Sequence, residues 1–128
     1  MNETVTTLTD EQKAALSEFI TLDYAQRLLD NDLVLTKTSH FPDLYELLIQ
    51  QVQAYLAREK AAIDLQQWGI TTPVWNEIGG GKVIYHYRLQ NTEKMVGVKE
   101  QVVRDAISRK IAVWLGSPDR TEELEEEA

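Results

Sequence analysis

The stretch from Ser39 to Gly69, SHFPDLYELLIQQVQAYLAREKAAIDLQQWG, constrains the fold of this chain more than any other. Ser39 can cap a helix, Pro42 is tolerated in a first turn, and Asp43 and Glu46 suit the positive end of a helix dipole. Gly69 can end such a helix in a left-handed conformation. On a wheel of about 100° per residue, Leu44, Leu47, Leu48, Val52, Tyr55, Leu56, Ile63 and Leu65 share one apolar arc. Tyr45 and Ile49 widen it to roughly 240°, against the ~100° stripe of an ordinary surface helix. A helix apolar that far round needs neighbours on two or three sides, so the spacing predicts a long central helix.

The flanking segments supply those neighbours. Thr9-Asp10-Glu11-Gln12 has the form of a capping box, and Leu16, Phe19 and Ile20 give the helix behind it a buried face. Further on the periodicity blurs: Leu22 and Leu29 fall opposite that face, while Asp23 and Arg27 fall within it. This segment reads either as one helix to about Asp30 in contact on two sides, or as a helix bent or broken near Thr21. Leu33-Val34-Leu35 reads as a short extended connection. Beyond Gly69, Thr71-Thr72-Pro73 is a breaker. Val74 to Ile78 and Lys82 to Leu89 flank Gly79-Gly80-Gly81 and read as a hairpin with a three-residue loop. Val83, Tyr85, Tyr87 and Leu89 share its inner face, and Ile84, His86 and Arg88 its outer one. Asn91-Thr92-Glu93 reads as a turn, and a last helix runs from about Val96 to Leu115 before Gly116, Ser117 and Pro118. The expected fold is therefore α+β, with three main amphipathic helices around a long central helix and one β-hairpin packed on them. It forms a single domain over residues 9–118, between a disordered stretch 1–8 and an acidic flexible tail 119–128.

Charge is unevenly spread along the chain, whose formal net charge is −8. Residues 1–64 are net −6, residues 65–118 net +3 and residues 119–128 net −5. There is no cysteine, which excludes disulfides, thiolate zinc sites and a cysteine nucleophile. MNETVTTLTD has neither the basic head nor the apolar run of a secretory signal. Ile111 to Leu115, the longest strongly apolar run, is far too short to span a bilayer. The expectation is a cytoplasmic protein with no membrane association.

No constellation points to catalysis, metal or cofactor. His40 and His86 sit in different elements, and none of the four serines lies in a G-x-S-x-G setting. Gly79-Gly80-Gly81-Lys82 is followed by a strand, whereas a phosphate-binding loop must open a helix whose amides hold the anion. Asp30, Asp32 and Glu122 to Glu127 lack apolar surroundings that would raise a pKa. Asp23 and Arg27, four apart, suit a structural ion pair.

The least ordinary feature lies in the last helix. Val96, Val103, Ile107, Ile111 and Trp114 line one stripe, Val102, Ala106 and Val113 another, and Lys99 and Lys110 fall between them. Long stems packed on apolar surface, with the charge reaching water or a carboxylate such as Glu59, account for the lysines. The functional alternative is a binding edge built from Lys99, Lys110, Arg104 and Arg109, with Trp75 and Trp114 as aromatic anchors. The sequence points first to a non-catalytic protein–protein interaction or assembly protein, partnered by itself as a homodimer or by another protein. A second reading is a nucleic-acid-associated factor using the basic 82–110 segment and the aromatic hairpin, with an acidic nucleic-acid mimic as its variant. A small enzyme using His86 or a tyrosine is the third.

Overall fold

The computed structural model describes residues 8–116. The loose N-terminus (Leu8 apart) and the acidic tail expected from the sequence lie outside the described residues. The fold is α+β. A helix α1 (Asp10–Leu35) and a helix α2 (Pro42–Ala61) are followed by strands β1 (Val74–Gly79), β2 (Lys82–Leu89) and β3 (Thr92–Lys99), then by a helix α3 (Glu100–Leu115). Among the described residues no helix is long and apolar enough to cross a membrane.

The capping box predicted at Thr9 is present. The Thr9 hydroxyl oxygen accepts from the Gln12 amide at 3.2 Å, and the Gln12 side-chain oxygen accepts from the Thr9 amide at 2.9 Å. From there α1 runs unbroken for 26 residues, about 39 Å at the α-helical rise. There is no break at Thr21, whose hydroxyl donates to the Ser17 carbonyl at 2.9 Å and so is satisfied inside the helix. The helix also absorbs Leu33, Val34 and Leu35, read above as extended. It stops where Thr36, Thr38 and Ser39 turn their hydroxyls onto the carbonyls of Leu33, Leu35 and Thr36.

Helix α1, and not α2, is the central element. Phe19, Ile20, Thr21, Leu22, Tyr24 and Ala25 are all buried. Two full turns can bury residues at every angle only if the helix is packed on opposite sides, which is the first of the two readings the sequence left open for this segment. In α2 only Leu56 is buried, and Leu44, Tyr45, Leu47 and Leu48 are exposed. Ser39 does not cap α2; the N-cap is Phe41, with Pro42 in the first turn. Nor does α2 reach Gly69, which instead takes its left-handed conformation (φ 74°) after a short 3₁₀ turn, Gln66–Trp68. Helices α1 and α2 form an antiparallel hairpin: Lys60 reaches back to Asp23, and Gln53 to Asp30.

The expected hairpin is part of a three-stranded antiparallel sheet in the order β1-β2-β3. Gly79 pairs with Lys82, so the first turn has two residues, Gly80 and Gly81, both at positive φ (60° and 76°). A two-residue turn with two such residues matches the right-handed strand twist, and glycine takes that conformation freely. The second turn, Gln90-Asn91, is also at positive φ, 50° and 71°. It starts one residue before the predicted turn and leads into a strand where helix was expected. Val96 belongs to that strand, opposite Tyr85, and α3 begins only at Glu100. The predicted faces of β2 hold: Val83, Tyr85, Tyr87 and Leu89 are buried against the helices, while His86 and Arg88 face out. On α3 the predicted stripe packs inward at Val103 and Ile107, with Ile111 beside them.

Two measurements check this arrangement. Amide exchange should be slowest in α1 between Leu16 and Ala25, and faster in α2 between Leu44 and Leu48. Leu22→Ala, at a side chain with 0% exposure, should cost about 2–5 kcal/mol in denaturant unfolding. Leu48→Ala should cost under ~1 kcal/mol.

Candidate functional site

A polar cluster inside the fold surrounds Asp23. Burial alone would raise its carboxyl, but the Tyr85 hydroxyl, the Lys60 ammonium and the Arg27 guanidinium outweigh burial and hold it below the ordinary value. Tyr85 donates at 2.5 Å, Lys60 at 3.1 Å and Arg27 at 3.2 Å. Arg27 also lies 5.2 Å from the centroid of the Trp75 ring, and Lys60 lies 5.5 Å from that of Phe19. Burial and the Asp23 carboxylate together push the Tyr85 hydroxyl far above its usual range. Held protonated by burial and by the neighbouring carboxylate, the Tyr85 hydroxyl serves as a donor to Asp23.

The six candidate binding residues are not gathered on one face. Lys99 ends β3, opposite Lys82 on the outer side of the sheet, rather than standing inside a helical arc. Lys110 is held by Glu18 of α1 in an ion pair. Burial would lower the ammonium, but the Glu18 carboxylate raises it above its usual value. Arg109 lies beside Lys110 in a shallow groove with Glu18, Tyr55 and Glu59. Trp114 stacks on Tyr55 of α2, with ring centroids 5.9 Å apart and planes inclined by 27°.

Arg104 and Trp75 do meet, in a cleft of about 510 Å³ that Tyr24, Arg27 and Glu100 also line. Its charges answer each other. Tyr24 donates to the Glu100 carboxylate at 2.5 Å and Arg104 donates to the same oxygen at 3.2 Å. These two donors hold the Glu100 carboxyl below its usual value, Tyr24 first. The Trp75 Nε1 is buried with no hydrogen-bond partner among the described residues. The described residues contain no group of three or more histidine, cysteine or carboxylate side chains placed to hold a metal ion.

A different surface is left open, and it includes Leu44, Tyr45, Leu47 and Leu48, which the sequence placed in the packed arc of α2. At the far end of the α1–α2 hairpin, Val34, Leu35, Phe41, Leu44, Tyr45, Leu47 and Leu48 are 39 to 66% exposed. Part of it is joined: Leu35, Tyr45, Leu48 and Ile49 line one groove, and the Phe41 and Tyr45 rings meet edge to face at 6.5 Å. Side chains of roughly 150–230 Å² each, exposed to this degree, leave on the order of 600–700 Å² of apolar surface open in all. The signal for it in the sequence was the width of the apolar arc, since a chain of this size has room for one all-round buried helix and α1 takes that place. Comparison with protein-family models, with curated proteins and with solved structures finds no match to this chain.

The Asp23 cluster carries a pH signature. Asp23 is depressed, so its contribution to stability is present above its ordinary value of 3.8 and lost as pH falls through its folded value. Tyr85 is raised, so its contribution is present below its ordinary value of 10.0 and lost as pH climbs beyond it. Tyr85→Phe should cost about 1–2 kcal/mol at neutral pH. It should also flatten the alkaline fall and shift the acid unfolding midpoint to higher pH, as urea titrations across pH will measure.

Proposed function

We propose that this chain is a non-catalytic protein–protein interaction protein, an assembly or accessory factor whose docking surface is the apolar face at the tip of the α1–α2 hairpin. The observation that carries the reading is the run of seven exposed large apolar side chains between Val34 and Leu48. Exposed apolar surface of this extent lowers solubility unless something covers it, and contact surfaces are where proteins keep it. Aromatic anchors flanked by aliphatic side chains, as Phe41 and Tyr45 are by Leu44 and Leu48, are the usual composition of such contacts. The homodimer expected from the sequence is one way of covering this face, and a different protein is the other.

The nucleic-acid reading has less support. It needs aromatic side chains displayed beside the cations, for bases to stack on. Tyr85 and Tyr87 are buried on the inner face of the sheet, and Arg104 and Lys110 are engaged by Glu100 and Glu18. A small enzyme using His86 has little support either, for that side chain stands on the outer face of the sheet, beside Met95 and Glu93.

The test is a paired substitution, Leu44→Asp with Leu47→Asp. Each should change stability by no more than ~0.5 kcal/mol, since neither side chain is part of the core. A tagged copy expressed in the native host beside a second, differently tagged copy should retain a polypeptide, the second copy included, that the paired variant loses. Retention of nothing, or equal retention by the variant, overturns the reading.

A further inference from the structure

We infer that the outer edge of β3 pairs with the same edge of a second copy of this chain, joining two three-stranded sheets into one across a two-fold axis at Val96. This edge belongs to the sheet and not to the hairpin tip, and the inference does not rest on the reading of that tip.

The order β1-β2-β3 leaves β1 and β3 each with one free edge, and the two edges differ. In β1 the register slips between Trp75 and Glu77, and Pro73 stands immediately before the strand. A bulge and a proline are usual guards of an edge. β3 has neither, and its register to β2 runs unbroken from Thr92 to Lys99. Glu100 continues the same ladder by donating its N–H to the Gly81 carbonyl at 2.9 Å. Bonded and non-bonded pairs alternate along an antiparallel ladder, so this bond fixes which backbone groups face β2. Those of Thr92, Lys94, Val96 and Val98 point to β2, and those of Glu93, Met95, Gly97 and Lys99 point away. Among the described residues no backbone hydrogen bond reaches the second set. Gly97, whose surface is all backbone, is itself exposed. A free row of N–H and C=O groups is complementary to an extended strand.

The side chains select which strand. A two-fold axis at Val96 sets Glu93 opposite the partner's Lys99 and Met95 opposite the partner's Gly97. Of the two-fold placements that keep the ladder in phase, this one engages all four outward residues with one another. It gives each carboxylate an opposite charge and lays a long side chain over a residue that has none. Within the chain Lys99 stands opposite Lys82, and among the described residues neither makes an ion pair. Directly opposed like charges destabilise a sheet, and a carboxylate arriving beside Lys99 relieves them. Glu93 can supply it, with a side chain 76% exposed and Arg88 no nearer than 4.0 Å. On the inner face Val96 meets its own image. A groove of about 270 Å³ lined by Leu16, Ile20, Tyr87, Val96 and Val98 lies on that side, and the partner's Val96 would extend its apolar lining. Lys94, the one charge on the inner face of β3, would lie opposite the partner's Val98, near an end of the strand pair, where its stem packs and its ammonium turns to water. A strand pair alone falls below the ~1,200 Å² of a standard interface, so the association is weak and concentration-dependent.

The chain has no cysteine, so single-cysteine variants report the pairing directly. Non-bonded partners in an antiparallel pair have Cα atoms ~4.5 Å apart, within reach of a disulfide. In oxidised glutathione, Val96→Cys should form a covalent dimer on non-reducing electrophoresis. Lys94→Cys and Val98→Cys should each fail to do so by itself, since four residues at ~3.3 Å each separate either position from its own image. Mixed together, those two variants should link to each other. Sedimentation equilibrium at up to about 300 µM leaves the inner face untouched and should show a dimer. Glu93→Lys or Lys99→Glu by itself should weaken that dimer roughly 5–30-fold, because each puts like charges together at both ends of the strand pair. The two substitutions combined should restore it. Leu44→Asp with Leu47→Asp should leave it unchanged, so the edge and the hairpin tip are tested apart. A monomer at every concentration, or a folded Val96→Cys variant that stays unlinked, would overturn the inference. Linking of Lys94→Cys or Val98→Cys by itself as readily as Val96→Cys would do the same. So would a dimer that ignores both charge reversals and dissociates in Leu44→Asp with Leu47→Asp, which would place the second copy on the tip.

Discussion

A carboxylate halfway along a helix that is packed on opposite sides has to be answered by its neighbours, and Asp23 draws its donors from three elements. Arg27 comes from its own helix one turn on, Lys60 from α2 and Tyr85 from the middle strand of the sheet. Hydrophobic burial is indifferent to direction, and α1 could turn or slide against its neighbours at little cost if packing alone positioned it. The three donors remove that freedom, because each must reach the same two oxygens. Removing one donor leaves a half-buried charge short of partners, which is costlier than the loss of one exposed hydrogen bond. The Tyr24–Glu100 bond and the Glu18–Lys110 pair fix α3 to the same helix. The sheet, α2 and α3 are thus each placed by a polar contact with α1, and the apolar core fills the space between.

Much of this was legible in the amino-acid sequence. The capping box at Thr9, the α+β composition, the inward face of β2 and the stripe on α3 all rest on local chemistry that tertiary context did not override. The rank of the two long helices was not legible. A wheel reports how far round a helix is apolar, and α2 scores well; it cannot report whether the partner is another part of the same chain. The blurred pattern in α1 was the stronger sign of a central element. A helix buried all round has no wet face to set a period, and its polar side chains, Thr21 and Asp23, are satisfied one by one instead.

Strand β3 was missed for a different reason. Its inward residues, Lys94, Val96 and Val98, alternate with Met95, Gly97 and Lys99, which is a strand pattern. However, Val96 also stands seven residues before Val103 and so completes a false helical stripe. The turn before the strand places Gln90 and Asn91 at positive φ without the glycine that would have marked it. Of the candidate site, Leu44, Tyr45, Leu47 and Leu48 were seen but assigned to the packed arc, Phe41 was not singled out, and the cations were seen as one group although β3 and α3 distribute them over separate surfaces.

The stacking of Trp114 on Tyr55 has an optical consequence. Leu48 stands seven residues before Tyr55 on α2, about 10 Å along the same stripe. The indole therefore lies close to the edge of the open face, whereas Trp75 is under Arg27 on the far side of α1 and Trp68 follows α2 at its other end. An aromatic ring whose environment ends where a contact surface begins changes its emission when that surface is covered. The protein thus carries an intrinsic fluorophore beside its open apolar face, and single-tryptophan versions that keep Trp114 can report, without an added label, whether the proposed contact covers it.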